Sequence, residues 1–473
     1  MASGSSNSAY FSGDRKSPWP VVAISMIGTS ISGVTFISVP GNVAATSMSY
    51  MQMVLGFFVG YLAIAYVLLP IYYRLNSYSI YGYLQDRYGT ASRKTGSAFF
   101  LLSKFLGAGV RMYLTALALQ VILFNRLGIP FGFNVAITML IVWLYTFRGG
   151  VKTLVWVDMV QTLCMVAAVV LSIWFVAKSL GLDFGGLFTT VNDSPMSRIW
   201  FFDDPADKKF FWKQFLAGVF TTVAMTGLDQ DMMQKNLSCK DLKSAQKNVL
   251  SYGFSFLPIN LLFLWLGVLL YQYAASVGLC DASGSLLGLK PDELYPTLAT
   301  GSDPATGVRY LPLTVGAVFV VGLISAAFSS AGSAITALTT SFTIDILRAN
   351  EYQSDIELTH TRKLVHFCVA VVMGVLIYCF KLIGSGSVIN AVYVLASYTY
   401  GPLLGLYVFG LFTKMNPRDK WIPVICVLSP LICLVLALNA ERWFGFQVGY
   451  ELLLINAAIT FAGLLISSVG NRR

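Results

Sequence analysis

An all-α polytopic membrane protein is the fold class this sequence predicts, and three observations predict it. The chain is 56% hydrophobic and only 11% charged over 473 residues, where a soluble protein carries about 25% charged residues. Its mean hydropathy is +0.69. Apolar runs of about 20 residues recur from end to end, each long enough to cross a bilayer as a helix.

The N-terminal residues 1–18, "MASGSSNSAYFSGDRKSP", are polar and rich in Gly and Ser, and they lack the charged start, apolar stretch and cleavage site of a secretory signal. They read as a cytoplasmic tail. Twelve spans follow: 19–46, 51–74, 95–125, 130–147, 153–178, 211–235, 249–276, 311–347, 362–383, 387–413, 421–439 and 447–469. An even number puts both termini on one side. Twenty Lys and Arg residues fall on that side, ten on the other, and Lys104 and Arg111 lie within a span. The positive-inside rule then makes both termini cytoplasmic and turns the loops 179–210 and 277–310 outward. The net charge of +10 is topological and implies no nucleic-acid partner.

The spans group as five, five and two. Residues 19–180 form a first five-helix repeat, 208–413 a second, and 421–469 two C-terminal helices. Five is odd, so the second repeat runs inverted relative to the first. Span 1 and span 6 are the interrupted members: "GTSISGVTFISVPG" (28–41) and "GVFTTVAMTGLDQDMMQ" (218–234) both carry small and polar residues mid-span. Paired interrupted helices in inverted halves mark a secondary transporter with its site near the midplane.

Unwinding a helix in lipid strands backbone amides and carbonyls at several kcal/mol each, which is tolerable only where they line a cavity or bind an ion. Residues 28–41 therefore have two readings, close packing through small residues or a break at a binding site. The second small-residue cluster, "SAAFSSAGSAITALTTSFTIDI" (325–346), sets Ala326, Ser329, Ser330 and Ser333 on one helix face. Sodium is a hard cation that wants oxygen ligands, as Ca²⁺ and Mg²⁺ do, and hydroxyls on this face with carbonyls freed from span 1 suit it. Packing, with Ser back-bonding to its own helix, explains the same pattern.

"FSGDRKSPWPVVAISMIGTSISGVTFISVPG" resembles the entry to the first core helix of the sodium:solute symporter family, whose members carry sugars, sialic acid, proline, vitamins and anions. "FRGGVKTLVWVDMVQ" (147–161), "DQDMMQKNL" (229–237), the Ser-rich span 8 ending in "TIDI" and "YGPLLGLYVFGLF" (400–412) support it in the right order. The resemblance implies the leucine-transporter fold with two inverted five-helix repeats, and Na⁺ coupling. It assigns sodium to backbone carbonyls of Gly28, Ile31 and Ala326 and to the hydroxyls of Ser329 and Ser330. It matches Asp158 to an acid with which some members hold a second sodium, helped by two hydroxyls on span 8. Here those two positions are Gly332 and Ser333, so one hydroxyl is missing. Family members usually have a further helix before "GDRKSPW", where this sequence has a short polar segment.

Within the spans, Lys104 lies toward the cytoplasmic end and is expected to snorkel to the interface. Arg111, beside Gly107 and Gly109, either snorkels or pairs with an acid, or it holds a solute carboxylate by two parallel hydrogen bonds. Asp229 and Asp231 are expected to pair with Lys235 or neighbours. Ser32, Gly33, Thr35, Phe36, Arg111 and Tyr393 are the solute-site candidates. The seven cysteines form no CxxC pair, and His360 and His366 sit beside a loop. No span combines nucleophile, acid and base, so an enzyme is not expected.

The expectation is a monomeric, Na⁺-coupled symporter of a small organic solute, a sugar or an acidic sugar such as sialic acid, in the inner or plasma membrane. Its rivals are a proton-coupled or uncoupled transporter of the same fold and a solute sensor.

Overall fold

A computed structural model describes residues 6–468 apart from 76, 126, 282–283, 305, 384–387, 445–448 and 450. Among these residues the chain is nearly all helical. In chain order the helices that build the site region are α1 (Asn7–Ser12), α2 (Trp19–Ser30), α3 (Gly33–Gly41), α4 (Val43–Leu75), α5 (Thr90–Leu119), α6 (Phe131–Phe147), α7 (Gly150–Ser179), α8 (Phe211–Thr222), α9 (Gln230–Asn236), α10 (Leu242–Ser276), α11 (Pro291–Thr300), α12 (Leu313–Ser341), α13 (Asp355–Ile383), α14 (Val388–Phe412), α15 (Ile422–Phe444) and α16 (Leu452–Ser468). Each of the twelve expected spans has a helical counterpart.

Two expected spans are each split. α2 and α3 meet at Ile31–Ser32 with a bend of 58°. α8 runs through a π-helical turn, Val223–Gly227, to Leu228, where the helix ends before α9 starts. Other helices outrun their apolar stretch: α10 starts seven residues before the expected 249, and α13 seven before 362. A hydropathy boundary marks where a helix becomes polar, not where it ends. Asp241 caps the extension of α10 by accepting the Ser244 amide at 2.8 Å. Cap hydrogen bonds to the first-turn amides are what start a helix in water.

The core runs along α12. Nearly every residue from Ser325 to Ser341 is buried there, against α2, α6 and α7. α13 and α15 turn most of their surface outward, as peripheral membrane helices do when lipid replaces protein as the apolar neighbour.

The polar N-terminal segment is packed rather than free. Tyr10 and Phe11 are fully buried. Gln234 Nε2 donates to the Phe11 carbonyl at 2.7 Å, Asn7 Nδ2 to the Asp355 carbonyl at 3.0 Å, and the Ser17 amide to the Ser238 carbonyl at 3.0 Å. α1 can lie this close to the α6–α7 corner because of Gly150. Its φ is +49°, and a Cβ there would come within 2.5 Å of the Tyr10 Cα. His366, expected beside a loop, is buried beneath α1, with Tyr10 Oη 3.0 Å from Nδ1 and Thr146 Oγ1 3.0 Å from Nε2.

Candidate functional site

The break in the first span lies inside the stretch that the sequence singled out. Ile31 N–H still closes on the Ile27 carbonyl at 2.8 Å, and helical bonding resumes with Phe36 N–H on the Ser32 carbonyl at 3.1 Å. Between them Ile31 and Ser32 are extended, with ψ of 93° and 175°. A helix that ends leaves its last carbonyls without intrahelical donors, so the break turns the carbonyls that follow Ile27 into available oxygens.

α12 faces that break. A Cβ built on Gly28 would stand 3.3 Å from Ser329 Oγ and would collide with Thr162 Oγ1. Ala326, Ser329 and Ser330 are buried on the same face of α12, and Ile31, just past the end of α2, is fully buried as well. Among the described residues, Ser329 Oγ has no hydrogen-bond partner, and neither has Asp158 Oδ1 on α7. A fully buried carboxylate oxygen and a hydroxyl left unpaired are costly unless something satisfies them. A hard cation is what such oxygens suit. Of the sequence-predicted cation residues, Gly28 and Ser329 are thus in contact, and Ile31, Ala326 and Ser330 are buried on the same two elements. Thr162, which the sequence reading missed, belongs to this contact: its hydroxyl donates to the Asp158 carbonyl at 2.6 Å and holds the face that Gly28 touches.

Asp158 is already engaged through its other oxygen. Oδ2 accepts Ser333 Oγ at 3.0 Å and the ammonium of Lys235, whose Nζ also reaches Thr29 Oγ1. Lys235 was expected at a cytoplasmic span end, paired with Asp229 or Asp231; its side chain is instead 2% exposed. The helix ends at Leu228 and restarts as α9, every residue of which is buried, so the charge on Lys235 lies in the interior rather than at a span end.

The acids near Lys235 in sequence find another partner. Lys104 Nζ lies 2.7 Å from Asp231 Oδ2 and 3.2 Å from Asp229 Oδ2. It does not snorkel; it is a buried cation bridging α5 to α9. Asp229 also caps α9, accepting the Asp231 amide at 2.9 Å and the Met232 amide at 3.3 Å, and it takes the Tyr400 hydroxyl. Three elements of the bundle therefore meet on one carboxylate.

Beside these groups a cavity of about 130 Å³ opens between α2–α3, α4, α5, α8, α10 and α14. Thr29, Ser30, Ser32 and Thr35 line it from the break, and Tyr61, Tyr252 and Tyr400 from the facing helices. Its charged lining residues are Lys104, Arg111 and Asp229. Lys104 and Asp229 satisfy one another, whereas Arg111 makes no ion pair among the described residues.

Of the solute-site candidates, Ser32, Thr35 and Arg111 line the cavity. Gly33 and Phe36 do not. A Cβ on Gly33 would meet Thr115 Oγ1 at 2.6 Å, so that glycine serves helix approach. Phe36 is fully buried in a ring cluster with Phe263, Tyr295 and Phe319, at centroid distances of 5.6–5.8 Å. It lies one turn past the break on the far face of α3. The Tyr393 side chain lies outside the described residues. Thr29 and Tyr400 were not counted as solute contacts; a register placed from sequence alone does not say which side of a broken helix faces the opening.

Residues 10–418 match the model of the sodium:solute symporter family. The human sodium-coupled monocarboxylate transporter 1 is 26% identical over 451 residues, 92% of this chain and 68% of that protein. The human sodium/iodide cotransporter is 24% identical over 424 residues, 87% of this chain and 62% of that protein. The chain thus spans about two thirds of the length of these relatives. The solved structure of a Na⁺-coupled sialic acid symporter superposes with a TM-score of 0.79 at 20% identity, covering 98% of this chain and 92% of that one. That likeness shows the leucine-transporter fold.

Proposed function

The chain belongs to the sodium:solute symporter family, and on that premise we propose that it couples sodium entry to the uptake of a small organic anion by alternating access. Proteins of this family are transporters, not enzymes. The observation that carries the anion is Arg111: a guanidinium lining the cavity with no carboxylate partner among the described residues. Its planar fork of donors matches a carboxylate bidentately. A neutral sugar leaves the guanidinium unanswered. The named relatives point the same way, since monocarboxylate and iodide are both anions.

Sodium is assigned to the carbonyls of Gly28, Ile31 and Ala326 and the hydroxyls of Ser329 and Ser330. The unpaired oxygens of Ser329 and Asp158 support this. Ser32, Thr35 and Thr29 contribute the solute side of the same break, so the two ligands share one mobile element. Each then raises the affinity of the other by the same factor. Both termini are placed in the cytoplasm. The burial of Arg93, Lys235 and Arg362 leaves seventeen basic residues on that side against ten, and the bias that sets topology persists.

The test is uptake of radiolabelled short monocarboxylates and of neutral hexoses into proteoliposomes, with and without an inward Na⁺ gradient. Uptake of a monocarboxylate driven by sodium is expected. Transport of hexose alone, or uptake indifferent to Na⁺, overturns the reading.

A further inference from the structure

The oxygens around Asp158 form a cation site that is already filled from within the chain. Asp158 Oδ2, Ser333 Oγ and Thr29 Oγ1 come from α7, α12 and α2, and the ammonium of Lys235 sits among them, bonded to the carboxylate and to Thr29. Asp158 is fully buried and the Lys235 side chain is 2% exposed. A charge this deep must be balanced where it stands, because an unpaired buried ion costs several kcal/mol. One positive charge balances Asp158, and the ammonium provides it.

The remaining side of the site is closed as well. Position 332 is Gly, and a Cβ there would lie 2.8 Å from Tyr145 Cζ and even closer to its oxygen. The Tyr145 hydroxyl is committed to the Phe328 carbonyl at 2.6 Å. The space that a hydroxyl from residue 332 needs is thus occupied by a phenol ring that points its donor elsewhere. An alkali ion at Asp158 Oδ2 and Ser333 has a competing cation on one side and lacks a ligand on the other.

We propose that Lys235 is a tethered cation that takes the place of a second sodium, so that this transporter carries one sodium per cycle, bound at the Gly28–Ser329 junction. The proposal rests on the sodium-coupled reading above. Among the described residues, Asp158 Oδ1 and Ser329 Oγ are left without a hydrogen-bond partner and stay available to the exchangeable ion at that junction.

Equilibrium binding of ²²Na⁺ to the purified full chain tests this without knowledge of the solute. The wild type is expected to bind one ion. Lys235→Met keeps a four-atom unbranched stem and removes the ammonium with its charge, so Asp158 is left to recruit a second ion and the stoichiometry rises to two. Lys235→Arg keeps the charge and stays at one. Two ions in the wild type, or one in a folded Lys235→Met protein, overturns the tethered cation while leaving sodium coupling intact. No sodium bound to either protein removes the sodium-coupled reading and this proposal with it. If Lys235→Met does not fold, two ions bound to the wild type or to Lys235→Arg still overturn the proposal.

Discussion

Gly28 and Ser329 meet face to face: a Cβ on the glycine would stand 3.3 Å from the serine oxygen, and Thr162 leaves it no room on its other side. The contact joins the broken helix to α12 at the point where freed carbonyls and unpaired hydroxyls coincide. Substituting Gly28→Ala forces the two helices apart, an overpacking that costs about 1–3 kcal/mol. Sodium half-saturation of uptake is expected to rise about tenfold or more, about 1.4 kcal/mol or more of lost binding. Ser329→Ala and Ser330→Ala together are expected to abolish sodium dependence. Uptake titrated against Na⁺ concentration checks both.

Arg111→Gln keeps a polar side chain in the cavity and removes the charge. Hydrogen bonds to charged groups contribute about 1.5–3 kcal/mol, so the affinity for an anionic solute is expected to fall roughly 10- to 150-fold while sodium binding stays unchanged. Arg111→Lys is expected to recover only part, because a point charge does not reproduce the bidentate fork. Solute-induced shifts in melting temperature at saturating Na⁺ measure this without requiring transport.

Lys104 is a stability residue in this scheme. Lys104→Met strands Asp229 and Asp231 in the interior, and breaking one side of a buried pair costs about 3–5 kcal/mol. The double change Lys104→Met with Asp231→Asn is expected to be less destabilised than Lys104→Met alone, since it leaves one fewer uncompensated acid. Thermal unfolding in detergent of both variants checks the order; equal loss in the two would show that Asp231 is not the acid that matters.

Gly150 holds α1 in place. Its positive φ is strained for any side chain, and a Cβ would run into the Tyr10 backbone. Gly150→Ala is expected to loosen residues 6–17 and expose them to limited proteolysis, with the transmembrane core intact. Unchanged cleavage of the N-terminal segment would mean that α1 is held by its contacts to α9 and α13 instead.

Much of the fold was legible along the chain. Apolar length marked twelve spans, and small and polar residues in the middle of two of them (Gly, Ser, Thr and Pro in span 1, Gly and Thr in span 6) marked the breaks, because a residue that weakens a helix in lipid does so wherever the chain folds. The small face of α12 was legible from spacing alone. Phe36 was misread because the bend at Ile31–Ser32 rotates everything after it, and no periodicity carries across a break. Lys104 and Lys235 were misread for a different reason. Each lies where a long side chain ordinarily reaches water, and hydropathy scores a cation near a span end as a loop charge.

By itself, then, the sequence determined the membrane class, the helices, the two interruptions and the oxygen-rich faces, all of which rest on free energies local to one segment. Only the tertiary structure decided which charges neutralise which. Lys235 and Asp158 are 77 residues apart, and Lys104 and Asp229 are 125 apart. Burial makes each of these charges costly until an opposite one arrives, and the arrival depends on helices packing in three dimensions. Among the described residues Arg111 is the cation in the cavity left without an ion-pair partner, and nothing written along the chain distinguishes it from the two lysines.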